Sequence, residues 1–246
     1  MNKVPATIND LRQPEKTEHL LDMFQRIMVH YALWFSEVRN RIGTEKAMAI
    51  LNEATRKSFS IQLKRFVTAF GGNSQDGIPA SLLEMNEDRM NELMKSTAIN
   101  WLANDGVWFQ TVEFSSNMKE AKACNDACWQ YFSPFEAMAI KGLLGLPENP
   151  GLDGLKKALN FRLYACINIQ SIVEESPNSL LFQMNECRVQ SARKRKNLDD
   201  YPCKSGGLVE YTTFARTIDS RIQTECVGCP PDKHPEEWYC AWRFTI

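Results

Sequence analysis

Most of the cysteines of this chain lie close together near its carboxyl terminus, and this clustering limits what that region can fold into. Five of the eight fall between residues 187 and 240, namely Cys187, Cys203, Cys226, Cys229 and Cys240, with His234 among them. The pair Cys226 and Cys229 has the Cys-x-x-Cys spacing, in which a short turn brings two sulfurs towards a common point. Thiolates and imidazoles suit zinc or an iron–sulfur cluster. The tail therefore predicts a metal site.

We expect zinc to be the metal, bound by the thiols of Cys203, Cys226, Cys229 and Cys240, with Cys187 and His234 as alternative ligands. If predicted strands at 221–226 and 238–246 pair as a hairpin, three of these thiols gather at one end of a sheet. An iron–sulfur cluster, ordinary buried thiols and thiol redox chemistry stay open as alternatives. The remaining cysteines fit a structural role as small hydrophobic residues: Cys124, Cys128 and Cys166.

Composition and charge favour an ordinary protein of the cytoplasm. The chain has 246 residues and a net charge of −1, which argues against nucleic-acid binding through overall charge. No run of eighteen apolar residues occurs, so we expect no membrane span, and the first residues lack the apolar core of a signal peptide. Eight cysteines without an export signal favour a reducing compartment, where thiols stay free or bind metal.

Apolar residues at spacings of three and four predict a helical region that extends to about residue 150. Helices are expected at 17–42, 44–70, 79–101 and 119–131. A further helix should begin at Ser133-Pro134-Phe135-Glu136, which has a serine cap, a proline in the first turn and a glutamate three residues after the serine. Residues 105–115 fit a helix or a strand, and we favour the helix.

The periodicity changes after the helix-breaking segment 146–151, which is rich in proline and glycine. Alternating apolar residues predict strands at 161–173, 180–191, 221–226 and 238–246. We therefore expect an α+β fold, with an all-helical domain at 1–150 and a small antiparallel-sheet α+β domain at 151–246 that carries the cysteine site.

The same tail carries a family resemblance. The matching segments are residues 187–196, Tyr201-Pro202-Cys203-Lys204, Cys226-x-x-Cys229-Pro230-Pro231-Asp232, His234-Pro235-Glu236 and Cys240-Ala241-Trp242. With Leu33-Trp34-Phe35 and Gly43-Thr44-Glu45-Lys46-Ala47, the chain resembles a group of uncharacterised bacterial cytosolic proteins. More distantly, it resembles the L-2-amino-thiazoline-4-carboxylate hydrolase-like proteins. That similarity implies ring-opening hydrolysis of a small C–N substrate, and it assigns no catalytic residues.

Three functions fit these observations. A small-molecule hydrolase predicts a cleft with a perturbed carboxylate or thiol near Glu186 or Cys187, whereas a binding module predicts an apolar pocket without acid–base groups. A single-stranded nucleic-acid module would use the zinc-knuckle-like spacing of Cys226, Cys229, His234 and Cys240 beside the basic run at 193–196. A small-molecule ligand is the partner we favour. A homo-oligomer is compatible with the sequence, which does not fix the oligomeric state.

Overall fold

The computed structural model describes residues 12–69, 74–75, 78–195, 197 and 200–246. The chain divides into two compact units, Met1–Arg65 and Phe66–Ile246. Before the first predicted helix, the sequence of residues 1–15 predicts a loosely docked arm, and most of it lies outside the described residues, as do the glycines at 71–72 that follow the second predicted helix. The domain boundary expected at residue 150 falls within the second unit, and the division at that residue stays a prediction.

The first unit is built from two long helices. Helix α1 covers Gln13–Ile42 and helix α2 covers Thr44–Ala69, the last residues of which belong to the second unit. Gly43 joins them with a positive φ of 83°, a conformation that glycine adopts without steric cost. Gln62 of α2 donates a hydrogen bond of 3.1 Å to the hydroxyl of Tyr31 on α1. The two helices predicted from the apolar spacing are thus confirmed.

The helical part of the second unit follows a minimal pair of strands, β1 (Ser74–Gln75) and β2 (Ile78–Pro79). The short helix α3 covers Ala80–Leu83, and α4 runs from Glu87 to Ser115. Asn86 caps α4 by accepting a hydrogen bond from the backbone of Arg89. Residues 105–115 are therefore helical, as favoured, whereas the single helix expected from residue 79 to residue 101 is wrong. The chain turns at 84–86, and α4 continues far beyond residue 101.

Helix α5 covers Met118–Leu143 without interruption, so the new helix predicted at Ser133 is wrong. Pro134 lies inside α5, where its ring cannot donate the usual backbone hydrogen bond. The Ser133 side chain does not cap a helix; its buried hydroxyl donates a hydrogen bond of 2.6 Å to the carbonyl of Glu210. The hydroxyl that the local sequence marks as a helix cap therefore forms a contact with a distant residue instead.

The sheet of the second unit has four antiparallel strands in the order β3-β4-β6-β5. Helix α6 (Gly151–Leu159) and a 3₁₀ turn (Leu163–Cys166) precede the hairpin of β3 (Ile169–Ser176) and β4 (Ser179–Glu186). Helices α7 (Arg188–Lys194) and α8 (Lys204–Ile218) follow. The second hairpin pairs β5 (Gln223–Gly228) with β6 (Cys240–Thr245). A mostly helical region and a small antiparallel sheet make the predicted α+β fold, which is confirmed.

Two of the expected strands are shorter than their sequence patterns indicate. The alternation at 161–173 forms a strand only from residue 169, because the preceding residues form the 3₁₀ turn. The strand expected to reach residue 191 ends at Glu186, and the basic residues after it lie on α7. The glycines at 206–207, expected to precede a helix, lie inside the first turn of α8.

The core of the second unit lies between the sheet, α8 and α5. Strand β4 turns Leu180, Phe182 and Met184 inward, as period-two alternation requires, and β6 contributes Trp242 and Phe244. Helix α8 covers them with its apolar stripe, which consists of Tyr211, Phe214, Ala215 and Ile218. Each large apolar side chain buried here contributes about 1.5–3 kcal/mol. This packing fixes the start of α8 beside β6, where the candidate site lies.

No helix within the described ranges is both long enough and apolar enough to pass through a lipid bilayer.

Candidate functional site

A cavity of about 380 Å³ opens within the second unit, between the helical residues and the tail. Six aromatic side chains line it: Phe109, Trp129, Tyr164, Tyr201, Tyr211 and Trp242. The charged and amide side chains that line it include Asp105, Lys122, Asn125, Gln190 and Glu210. Four thiols also line it: Cys187, Cys203, Cys229 and Cys240. An apolar cavity with a few polar groups is the usual form of a small-molecule site.

Three of the thiols lie in contact. Cys203 immediately precedes α8, Cys229 immediately follows β5, and Cys240 begins β6. The Sγ atoms of Cys203 and Cys229 are 3.6 Å apart, and Cys240 lies close enough to Cys229 to raise its pKa. Cys229 is buried, whereas Cys203 is partly exposed. The fold therefore brings together sulfurs that lie far apart in the sequence.

Gln190 holds the Cys203 sulfur in a defined polar environment. Its Oε1 accepts a hydrogen bond of 2.8 Å from the backbone N–H of Tyr201, which orients the other end of the amide. The Nε2 group then donates to the Tyr201 carbonyl at 2.9 Å and to Cys203 Sγ at 3.5 Å. Gln190 is only 1% exposed, so its amide cannot turn freely to solvent. One donor is thus fixed beside the sulfur.

The surroundings of Cys203 favour its thiolate form. The hydrogen bond from Cys229 lowers the pKa of the Cys203 thiol; burial opposes this effect, and the Gln190 hydrogen bond adds to it. Cys203 also stands at the amino end of α8, where the helix dipole stabilises negative charge. The same contact raises the pKa of Cys229, because the two sulfurs share one hydrogen bond and only one of them can lose its proton easily. Burial raises the pKa of Cys187 to about 12, so that thiol stays protonated.

A buried ion cluster lies behind the aromatic wall. Arg162, 2% exposed, donates from Nε to Glu136 Oε2 at 2.8 Å, and its Nη1 lies 2.6 Å from Glu210 Oε1. Glu136 Oε1 also accepts the backbone N–H of Leu163 at 2.9 Å. Four aromatic rings surround the guanidinium, those of Trp129, Tyr164, Tyr211 and Phe214. The Arg162 guanidinium is therefore shared by the carboxylates of Glu136 and Glu210.

Burial gives Glu210 an unusually high affinity for a proton. Burial raises the pKa of Glu210 from 4.5 to about 7, although the ion pair with Arg162 opposes this shift; the neighbouring charge of Glu136 adds to it. A carboxyl group with a pKa near neutrality can both donate and accept a proton at physiological pH. Because Glu210 also lines the cavity, it can exchange that proton with a bound molecule.

The predicted metal ligands divide between two environments. Cys187, Cys203, Cys229 and Cys240 face one cavity, but Cys226 is paired with Trp242 in the β5–β6 ladder and is not among the cavity-lining residues. His234 contacts Asp200 Oδ2 at 3.0 Å and the Pro235 carbonyl at 2.8 Å. Among the residues that the structure describes, no three or more His, Cys, Asp or Glu side chains form a group that could hold a metal ion. The zinc or iron–sulfur site stays a prediction.

The other polar candidates have local roles. Asn168 lines the cavity and accepts the backbone N–H of Arg188 at 2.9 Å, whereas Glu186 ends β4 and is exposed. The basic run continues to Lys196, which lies outside the described residues. Cys124 and Cys128 are exposed on α5, so the expectation that they are buried hydrophobic residues is wrong.

The sequence patterns missed the acid–base centre of the site. In the sequence, Arg162 lies on the polar side of the strand predicted at 161–173, and Glu136 belongs to the helix-start pattern that begins at Ser133. The available signal was Glu210, a carboxylate within the apolar stripe of α8, between Gly207 and Phe214. Charged residues are seldom buried without a partner, so such a position indicates an ion pair or a catalytic group.

A model of a family of unknown function, DUF6125, matches residues 83–246 of the chain. No curated protein and no solved structure matches it.

Proposed function

Because the chain belongs to the family of unknown function DUF6125, its activity must be inferred from its chemistry, and we propose that it is a thiol-dependent hydrolase of a small C–N substrate. The observation that carries this proposal is that Cys203 and Glu210 line the same aromatic cavity. The first can act as a nucleophile and the second as an acid and base. We place the protein in the cytoplasm, where thiols stay reduced.

The size and lining of the cavity support a small organic substrate. Its volume of about 380 Å³ is in the range of sites that hold small ligands. Trp242 lines it, and the indole Nε1 is buried without a hydrogen-bond partner among the described residues. An unpaired buried donor costs about 1–3 kcal/mol, which a substrate acceptor within reach would recover.

The proposed reaction has two stages. The Cys203 thiolate attacks the substrate carbon and forms a C–S bond, and the C–N bond breaks as the nitrogen takes a proton from the Glu210 carboxyl. Glu210, now ionised, accepts a proton from water, the hydroxide adds to the same carbon, and the C–S bond breaks. The products are the two fragments of the substrate, or one ring-opened molecule, and both side chains return to their starting states.

The acid–base groups distinguish this proposal from simple ligand binding. A binding module needs the apolar wall but has no use for a carboxyl group with a raised pKa. The resemblance to the L-2-amino-thiazoline-4-carboxylate hydrolase-like proteins supports the same class of reaction. The carboxyl group that this proposal uses is Glu210 on α8, whose pKa burial raises to about 7.

Zinc bound at the thiols is a second candidate, favoured by one distance. Two thiolates at about 2.3 Å from a tetrahedral zinc lie about 3.8 Å apart, close to the 3.6 Å between Cys203 and Cys229. The other donors would come from Cys240, Cys187 and Cys226, because the charges of Cys203 and Cys240 both act on the Cys226 thiol. Such an ion would occupy the nucleophile, so the zinc content of the purified protein separates the two proposals.

We expect the purified protein to hydrolyse at least one member of a panel of small amides, cyclic amidines and L-2-amino-thiazoline-4-carboxylate, followed by mass spectrometry. Cys203→Ser is expected to reduce the rate more than about a thousandfold, because the nucleophile is lost. Glu210→Gln is expected to reduce it about 10²- to 10⁴-fold. The wild-type rate should fall as the pH rises through about 7, where Glu210 loses its proton.

Cys124→Ser is the matched control, because that thiol is exposed on α5 and the variant should keep the wild-type rate. Circular dichroism of each variant establishes that it is folded. Hydrolysis that survives in Cys203→Ser, or no hydrolysis of any panel member, would contradict the proposed activity.

A further inference from the structure

Hydrogen bonds and an ion pair join the chain segment that follows Cys203 to the segment that follows Cys229. The backbone N–H of Lys204 donates to the carbonyl of Pro230 at 2.9 Å, one residue beyond each cysteine. The Lys204 side chain forms an ion pair of 2.8 Å with Asp232, whose backbone N–H donates to the carbonyl of Cys229 at 2.9 Å. These bonds hold the two sulfurs 3.6 Å apart.

We propose that Cys203 and Cys229 are a modification site at which an oxidant forms a reversible disulfide. A disulfide needs a sulfur separation of about 2.05 Å, so the two atoms must approach by about 1.5 Å. Cys203 directly precedes α8 and Cys229 directly follows β5, so neither belongs to a regular element that would resist this movement. The effect of the bond on hydrolysis rests on the proposed function, but the bond itself does not.

Hydrogen peroxide is a suitable oxidant, because it is small enough to enter the cavity that Cys203 lines. The Cys203 thiolate attacks one oxygen, the O–O bond breaks, and hydroxide leaves to give a sulfenic acid. The Cys229 sulfur then attacks the Cys203 sulfur, the S–O bond breaks, and water leaves with the Cys229 proton. In total two thiols lose two electrons and two protons, and peroxide is reduced to two waters. A dithiol reverses the change by thiol–disulfide exchange.

The geometry selects this pair over the other cysteines near it. Cys226 has the favourable Cys-x-x-Cys spacing to Cys229, but it lies within β5, where it is paired with Trp242. Cys240 lies close enough to Cys229 to raise its pKa, but it is the first residue of β6 and is paired with Met184 in the sheet. Formation of the disulfide would remove the nucleophile, so oxidation is expected to stop the proposed hydrolysis until the bond is reduced.

Peptide mapping of the full-length chain tests the inference. The protein is treated with a small excess of hydrogen peroxide, free thiols are blocked with N-ethylmaleimide, and the unreduced digest is analysed by mass spectrometry. We expect a linked pair of peptides containing Cys203 and Cys229, which dithiothreitol separates. Cys203→Ser and Cys229→Ser should each abolish the linked pair, whereas Cys226→Ser and Cys240→Ser should retain it.

Three results would overturn the inference. Cys229 linked to Cys226 or Cys240 would assign the bond to another pair. Over-oxidation of Cys203 with Cys229 still free would show that the sulfurs do not meet. One bound zinc per chain that prevents linkage until it is chelated would assign the thiols to metal. The mapping needs no substrate, so a linked pair in a protein that hydrolyses nothing would support the disulfide while the proposed function fails.

Discussion

Replacing Arg162 by methionine is expected to lower the free energy of unfolding of the second unit by about 3–5 kcal/mol. The guanidinium is 2% exposed and contacts both Glu136 and Glu210. Methionine fills a similar volume but leaves two carboxylates buried without a cation. The loss should shrink at lower pH, because Glu210, whose pKa burial raises to about 7, can then take up a proton and become neutral.

Urea unfolding followed by tryptophan fluorescence, at pH 7.5 and at pH 5.5, measures this effect. Lys156→Met is the control, since it also removes one positive charge, from an exposed ion pair with Glu174, and should change the stability by less than about 1 kcal/mol. An Arg162→Met variant as stable as this control, or one with the same deficit at both pH values, would show that the cluster carries no buried charge.

Trp242→Ala is expected to destabilise the second unit by about 3–5 kcal/mol, as the truncation of a large core aromatic side chain does. The indole is fully buried, and its ring centroid lies 4.8 Å from that of Tyr211. Gly207, one turn before Tyr211 on α8, brings the helix backbone so close that an added Cβ would lie 2.6 Å from Trp242 Cζ2. A void at this position cannot be filled without moving α8.

The matched control is Trp108→Ala, which removes an indole that is 66% exposed on α4 and should change the stability by no more than about 0.5 kcal/mol. Both variants are compared by urea unfolding with circular dichroism, because each lacks one of the six tryptophans and their fluorescence would differ for that reason alone. Equal stabilities for the two variants would mean that α8 and β6 do not pack through Trp242.

The helices could be predicted where local signals and tertiary packing agree. Gly43 ends one helix and Thr44 begins the next, as the sequence indicates, and the hydrogen bonds there are local: the Gly43 N–H donates to the Arg39 carbonyl, and the Ala47 N–H donates to the Gly43 carbonyl. At Ser133 the local cap signal fails, because the hydroxyl instead bonds the Glu210 carbonyl and the helix continues through Pro134. Information about residue 210 is needed to interpret residue 133.

Arg162 shows the same limit for the strands. In sequence it lies on the polar side of an alternating run, which predicts an exposed position on a strand. In the structure two carboxylates from different helices draw it into the interior, and the chain around it forms a turn before β3 begins. Pairing between distant charges leaves no periodic pattern, so hydrophobic periodicity cannot reveal it.

Only part of the candidate site could be predicted from the sequence. The cysteine cluster is visible in the sequence, and four of its thiols do face one cavity. Sequence spacing favours the pair of Cys226 and Cys229, but the alternation of β5 and the turn after it bring Cys229 beside Cys203. Gln190 becomes a candidate only once the fold places its amide against the Cys203 sulfur.

The most direct test of the proposed chemistry is the pH dependence with which iodoacetamide alkylates Cys203, followed by peptide mass spectrometry. A thiolate stabilised by Cys229, Gln190 and the start of α8 should give a midpoint below the ordinary thiol pKa of about 8.5, and Cys229→Ala should raise it. A midpoint at or above 8.5, or one that Cys229→Ala leaves unchanged, would show that Cys203 is not an activated nucleophile.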